Sequence, residues 1–332
     1  MVKIIDVARR AGVSAATVSR ALNDVATVDP ALVERVRAAA DELGYRPNSV
    51  ARNLRRQRTD VWALIISDIQ NPFFTEVARG VEDVASERGF SVLLCNSDED
   101  PAKESRYLRV AEQEQVAGVI ISPNMRGSDV TRMVQASIPV VTIDRTVRTP
   151  VDSVLVHSRD GAREATAHLF ASGWRRPACV TGPEYAETAE SRLEGYRDAV
   201  KAARRRPARS LVRHADFQEE TARSATASLL DGRNPPDSIF VANATMALGV
   251  LAELADRRLK PGRDIGLVAF DDAPWAQLID PPLTVVAQPT HDIGATAARL
   301  LVERIAGAAP RRPRRVVLSP ELIVRSSSLR HR

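Results

Sequence analysis

The sequence predicts a small all-α N-terminal segment built on a helix-turn-helix, followed by an α/β region of two doubly wound parallel-sheet lobes. Three observations carry this. Small and apolar residues between Ile5 and Asn23 sit where two short helices must cross closely, and two successive series of short apolar runs alternate with amphipathic stretches from Trp62 onward. The net positive charge is confined to one segment: residues 1–59 hold eleven Lys and Arg against six Asp and Glu, while the remainder holds 36 of each. That distribution is the electrostatic footprint of phosphate contact by the first segment, not of a generally basic protein.

In the first segment Ala8 offers the close crossing point, Gly12 the turn position that favours positive φ, and Val18 closes a miniature core. Ser14 is placed to cap the second helix. A cap there turns Val18, Ala21 and Leu22 inward and sends Ala15, Ala16, Ser19, Arg20 and Asn23 outward at helical spacing, toward a DNA groove. Val28-Asp29-Pro30 starts a third helix with Val33, Val36, Ala40 and Leu43 on one face, ending at Gly44. Beyond it Pro47 can start a short helix that carries Leu54 among five arginines.

The large region reads as strands at Ala63–Ser67, Ser91–Cys95, Gly118–Ser122 and Val140–Ile143, with helices at Phe73–Arg88, Lys103–Gln115 and Val130–Ala136 between them. A second series starts near Arg159. Its strands are Ala178–Thr181, Ser210–Val212, Ser238–Ala242 and Ile265–Phe270, and its helices start at Arg192, Glu219 and Thr245. Repeated βα units imply parallel sheets covered on both faces, and ligands of such sheets bind beyond the strands' carboxyl ends. The polar residues there include Asp68, Asn71, Asp144, Arg145, Asn243, Asp271 and Asp272, with Arg192 opening a helix. Carboxylates, an amide and guanidiniums suit a polyhydroxylated ligand, and Phe74 or Phe217 offers an apolar face for a sugar ring.

Several classes are excluded or disfavoured. With 332 residues, 44% hydrophobic and 4% aromatic, the chain has an ordinary soluble composition. No apolar run is long enough for a bilayer, and the N-terminus opens with a helix in place of a signal h-region, so a cytoplasmic protein is expected. Cys95 and Cys179 lack metal-ligand spacing and read as core residues, with no metal site, cofactor or structural disulfide expected. Nucleotide-binding and hydrolase motifs are absent, and His157 and His214 read as strand-end residues, so an enzyme is not expected.

The succession "DVARRAGVSAATVSRALN", "LGYRPNSVARNL", "NPFF", "RLEGY", "VAN", "AFDD" and "PPLTVVAQP" resembles the LacI/GalR family of bacterial transcription regulators from end to end. The resemblance implies a hinge helix at residues 47–59, between a DNA-binding domain at 1–46 and a type I periplasmic-binding-protein-like core at 60–332. It further implies lobes at 60–157 plus 289–318 and 158–288 plus 319–328, joined by three crossovers. Matched motif by motif, Arg192, Asn243, Asp271 and Gln288 fall at effector positions, and Phe74, Asp144 and Phe217 at pocket positions. Many relatives carry Asp where this chain has Ala244, which sets the effector's detailed contacts apart.

On this reading a homodimer binds double-stranded palindromic operator DNA, since one helix-turn-helix reads too few base pairs to find a unique site. Arg20 is the candidate for a guanine edge, Ala15 and Ala16 for methyl contacts, and Ser14, Thr17, Ser19 and Asn23 for phosphate or mixed contacts. Leu54 resembles a minor-groove wedge, supported by Asn48, Arg52 and Arg55. The expected function is a repressor controlled by a sugar in the cleft. The alternatives are a purine or phosphorylated-metabolite effector, or a solute receptor, which leaves residues 1–58 unexplained.

Overall fold

The computed structural model describes residues 2–22, 28–45, 59–124 and 128–330. The chain divides into two units, the first through Thr59 and the second from Asp60. In the first, α1 (Ile4–Ala11), α2 (Ala15–Leu22) and α3 (Pro30–Glu42) enclose Val7, Ala8, Ala11, Val18, Ala21 and Val36. Gly12 ends α1 in the left-handed region at φ 65°, where a side chain would be strained. Arg35 Nη2 donates to the Ala11 carbonyl at 2.7 Å and so satisfies a helix-end acceptor. Ser14 Oγ accepts from the Thr17 N–H at 3.1 Å, and Asp29 Oδ1 from the Ala31 N–H at 2.8 Å, ahead of Pro30 in the first turn. Ala15 departs from the outward set expected of it. Three and seven residues before Val18 and Leu22, it shares their face and is half-buried against the miniature core.

The second unit begins with β1 (Val61–Ile66), α4 (Pro72–Glu87), β2 (Ser91–Asn96), α5 (Pro101–Gln113), β3 (Gly118–Ile121), α6 (Thr131–Gln135), β4 (Val140–Ile143) and β5 (Asp152–Val156). It continues with α7 (Ser158–Ala171), β6 (Pro177–Thr181), α8 (Glu187–Ala202), β7 (Val212–His214), α9 (Glu219–Leu230), β8 (Ser238–Val241), α10 (Ala244–Asp256), β9 (Gly266–Phe270) and β10 (Thr284–Ala287). The chain then runs through α11 (Thr290–Ile305), β11 (Arg315–Leu318) and β12 (Glu321–Ile323). One sheet is wholly parallel in the order β11-β5-β4-β3-β1-β2, and the other runs β12-β10-β9-β8-β6-β7 with only β12 antiparallel.

The first series thus gains a strand, β5, that periodicity alone did not mark, because it opens on a buried aspartate. The strand expected at Ser210–Val212 is instead Val212–His214, preceded by a single 3-10 turn at Arg209–Leu211. The chain passes between sheets three times: β5 to α7, β10 to α11 and β11 to β12. Each sheet is covered on both faces, as a parallel sheet requires. The return helix α11 lies directly on α4: a Cβ on Gly80 would stand 2.1 Å from the His291 carbonyl oxygen, and one on Gly294 2.0 Å from that of Val77. These reciprocal glycines let two backbones touch.

Asp152 fastens the last strand of that sheet. Its buried carboxylate accepts from Arg304 Nη2 at 2.7 Å, Arg314 Nη2 at 2.8 Å and the Arg314 N–H at 2.7 Å. Burial alone would raise its pKa, but the hydrogen bonds from Arg304 and Arg314 outweigh burial and hold it below the usual carboxylate range. A depressed folded-state pKa contributes stability above the unfolded value, about 3.9, that is lost as pH falls through the lower folded value. Asp152→Asn is expected to cost about 3 kcal/mol at pH 7, read from urea denaturation of the large unit, with the gap from wild type closing in acid. An unchanged urea midpoint at pH 7 would show that the clamp does not stabilise the fold.

Candidate functional site

Both sheets direct their strand carboxyl ends toward one cleft, so the loops after β1, β2, β4, β7, β8 and β9 meet there. They enclose a cavity of about 50 Å³ lined by Phe74, Asp144, Arg192, Phe217, Asn243, Asp271 and Gln288 together. All seven residues singled out for the cleft are therefore brought to one place. Asp68, Asn71 and Arg145, named with the polar strand-end residues, also line it, and the structure adds Glu99 to the wall. Glu99 follows a strand end, after β2, and the rule that pointed to Asp144 would have found it too.

The loops hold these side chains in unusual backbone conformations. Asp144 and Asp271, each directly after a strand, have φ of 65° and 74°, and Phe217 has φ of 58°. Non-glycine residues in the left-handed region cost free energy and persist where surrounding packing over-determines them. Phe217 owes its ring position to Gly182, where a Cβ would stand 2.3 Å from Phe217 Cζ.

Arg192 is 4% exposed and projects from the second turn of α8. Its Nη1 donates to the Ala242 carbonyl at 2.6 Å, and its guanidinium lies 3.9 Å from the Phe270 ring centroid. Burial pulls its pKa down, opposed by the negative charges of Asp271 and Asp144. Asp271 is the reverse case. Burial pushes its pKa up, against Arg192 and a 2.5 Å hydrogen bond from Gln288 Nε2. Asn243 uses Oδ1 to accept from the Met246 N–H at 2.8 Å, which caps α10 and leaves its amide NH₂ as the group that can turn to the cavity.

Arg145 Nη1 donates to Glu99 Oε1 at 2.7 Å and to the Pro123 carbonyl at 2.9 Å. Its Nε stands 3.3 Å from Asp144 Oδ2, an ion pair without hydrogen-bond geometry. Five buried side-chain polar atoms lack a hydrogen-bond partner among the described residues, and Arg145 Nε, Arg192 Nε and Gln288 Oε1 are three of them. All three belong to residues of this one cavity wall.

In the first unit, Ser14, Ala16 and Arg20 are exposed along α2, and Thr17 and Ser19 are half-buried. Ser14 and Thr17 share a 2.8 Å hydroxyl contact, and Arg20 Nε folds back to the Ala16 carbonyl at 3.4 Å. Asn23, Asn48, Arg52, Leu54 and Arg55 lie outside the described residues. Cys95 and Cys179 are free and buried, in different sheets. No described helix is long and apolar enough to cross a membrane.

A helix-turn-helix unit joined to a two-lobed receptor defines a DNA-binding transcription regulator whose second unit holds a ligand cleft. Residues 3–48 match the family described as bacterial regulatory proteins, lacI family, and residues 166–328 match the periplasmic binding protein-like domain. The ribose operon repressor of Halalkalibacterium halodurans is 39% identical over 307 residues, spanning 92% of this chain and 91% of that protein. Among solved structures, the cellobiose complex of the transcriptional regulator CelR is 33% identical with a TM-score of 0.75, over 98% of this chain and 100% of that one. The lac repressor dimer bound to operator and an anti-inducer is 27% identical with a TM-score of 0.86, over 99% of each. The chain belongs to the LacI family of bacterial regulators, and like those relatives it is a regulator and not an enzyme.

The raised pKa of Asp271 means that its ionised form is disfavoured in the ligand-free fold, by an amount absent below the unfolded aspartate pKa and growing as pH rises. Asp271→Asn is therefore expected to raise the melting temperature of the ligand-free protein at pH 7, with the difference shrinking toward pH 4. A lower melting temperature at pH 7 would show that the ionised carboxylate stabilises the empty cleft.

Proposed function

We propose that this protein is a cytoplasmic repressor that binds a palindromic operator as a homodimer, its affinity for DNA set by a neutral monosaccharide in the interlobe cavity. The observation that carries the ligand class is the wall of the cavity, where carboxylates, two guanidiniums, the amides of Asn243 and Gln288 and the rings of Phe74 and Phe217 meet. Five carboxylates, on Asp68, Glu99, Asp144, Asp216 and Asp271, face two guanidiniums, on Arg145 and Arg192. Such a balance repels a phosphorylated ligand, while carboxylate and guanidinium pairs suit vicinal hydroxyls. Similarity to a ribose operon repressor makes ribose the first candidate.

Phe74, Asp144, Arg192, Phe217, Asn243, Asp271 and Gln288 are the proposed effector contacts. On the DNA side Arg20 reads a guanine edge, Ala16 offers a methyl contact, and Ser14, Thr17, Ser19 and Asn23 place the helix on phosphates. Asn48, Arg52, Leu54 and Arg55 act at the hinge, with Leu54 as the minor-groove wedge.

Ribose is expected to raise the melting temperature by mass action, where cellobiose and ribose 5-phosphate do not. Arg192→Ala should abolish that shift and leave DNA binding intact. A normal ribose response in the variant would remove Arg192 from the site, and a shift with ribose 5-phosphate alone would reverse the charge argument.

A further inference from the structure

The loop between α11 and β11 reads Ala-Pro-Arg-Arg-Pro-Arg-Arg over residues 309–315. One arginine of the loop, Arg314, and one from the last turn of α11, Arg304, face inward and build it. Arg304 and Arg314 grip the buried carboxylate of Asp152, and Arg304 also donates to the carbonyls of Pro310 at 2.5 Å and Arg312 at 3.1 Å. Pro310 and Pro313 fix φ on either side of the pair between them. Arg311, Arg312 and Arg315 are left exposed on this frame, with no side-chain hydrogen bond or ion pair among the described residues. Three preorganised, unpaired guanidiniums within five residues form a surface that an anion can use without first breaking an ion pair.

The position of the loop indicates which anion. Because β11 and β1 are parallel strands of one sheet, Arg315 opens β11 at the same edge where the chain enters this unit at Asp60. The chain arriving at that edge is the one that carries the DNA-reading unit.

We infer that Arg311, Arg312 and Arg315 form a second DNA-contacting surface, which binds backbone phosphates without reading sequence. It adds affinity and not specificity, because a guanidinium on a phosphate carries no information about bases.

The chain supplies its own control. Arg204, Arg205 and Arg206 follow α8 and are equally exposed, but α8 starts at the cleft and carries them to the far end of the other lobe. Their removal changes net charge by the same amount at the wrong place. The test is fluorescence anisotropy of the full chain on a 40-base-pair duplex of random sequence over a salt series. The triple variant Arg311→Gln, Arg312→Gln, Arg315→Gln is expected to reduce the slope of log affinity against log salt by at least about one unit and to weaken binding roughly tenfold near 100 mM salt. The variant Arg204→Gln, Arg205→Gln, Arg206→Gln should match wild type, and both should melt as wild type does.

Equal losses in the two variants would mean that only net charge matters and would overturn the assignment. An unchanged slope in the first variant would overturn it as well, and is what an acidic protein partner for this loop predicts. Wild-type protein that failed to bind the duplex would overturn the loop assignment together with the DNA reading of the first unit.

Discussion

The structure of the large unit depends on how a buried guanidinium, that of Arg192, is accommodated between two sheets. An isolated charge in such a place costs far more than a fold's net stability, so the surroundings must be arranged around it. The Ala242 carbonyl takes one of its donors, the Phe270 ring covers its face, and Asp271 and Asp144 supply opposing charge. The two carboxylates occupy left-handed positions directly after their strands, so the backbone itself is bent to place them. The Arg192 Nε has no hydrogen-bond partner among the described residues, so the buried charge is held short of full satisfaction.

This incompleteness is what a ligand can use to bias a two-state protein. Ligand shifts an equilibrium only by its differential affinity for the two states, and couplings of about 1 to 3 kcal/mol suffice for regulation. Contacts that bridge the lobes are the natural site of that difference. Thr146, after β4, donates through its N–H and hydroxyl to Glu187 at the start of α8, both at 3.0 Å, and so ties one lobe to the other at the rim of the cleft. The three crossovers set the rest, since lobes joined by three short segments can rotate against each other without either core repacking. Asp152 and its two arginines keep the sheet that receives those segments rigid while this happens.

Much of the site was legible because parallel sheets force ligands to strand carboxyl ends. Asp144, Asn243 and Asp271 could be named from the residue following each apolar run, and the cap role of Ser14 from its place before Ala15. Gln288 rested on motif resemblance and Phe217 was offered as an apolar face for a sugar ring, and their presence in the same wall reflects long-range folding that no local pattern reports. What escaped has identifiable causes. The strand β5 hides behind a charged first residue whose partners lie some 150 positions away, and β11 and β12 are short edge strands with half-exposed faces that give no apolar run. Ala15 escaped because an outward position at the first turn of a helix depends on what packs beside it.

The sequence alone determined the division into a basic helical segment and two βα series, because charge partition and hydrophobic period are properties of the chain in order. It also determined that Gly12 ends the first helix and that the next two start at Ser14 and Asp29, because capping is local. Tertiary structure decided what the polar residues do. Whether a carboxylate is a paired anchor like Asp152 or a desolvated wall like Asp271 depends on which distant groups burial brings beside it, and low dielectric amplifies that difference.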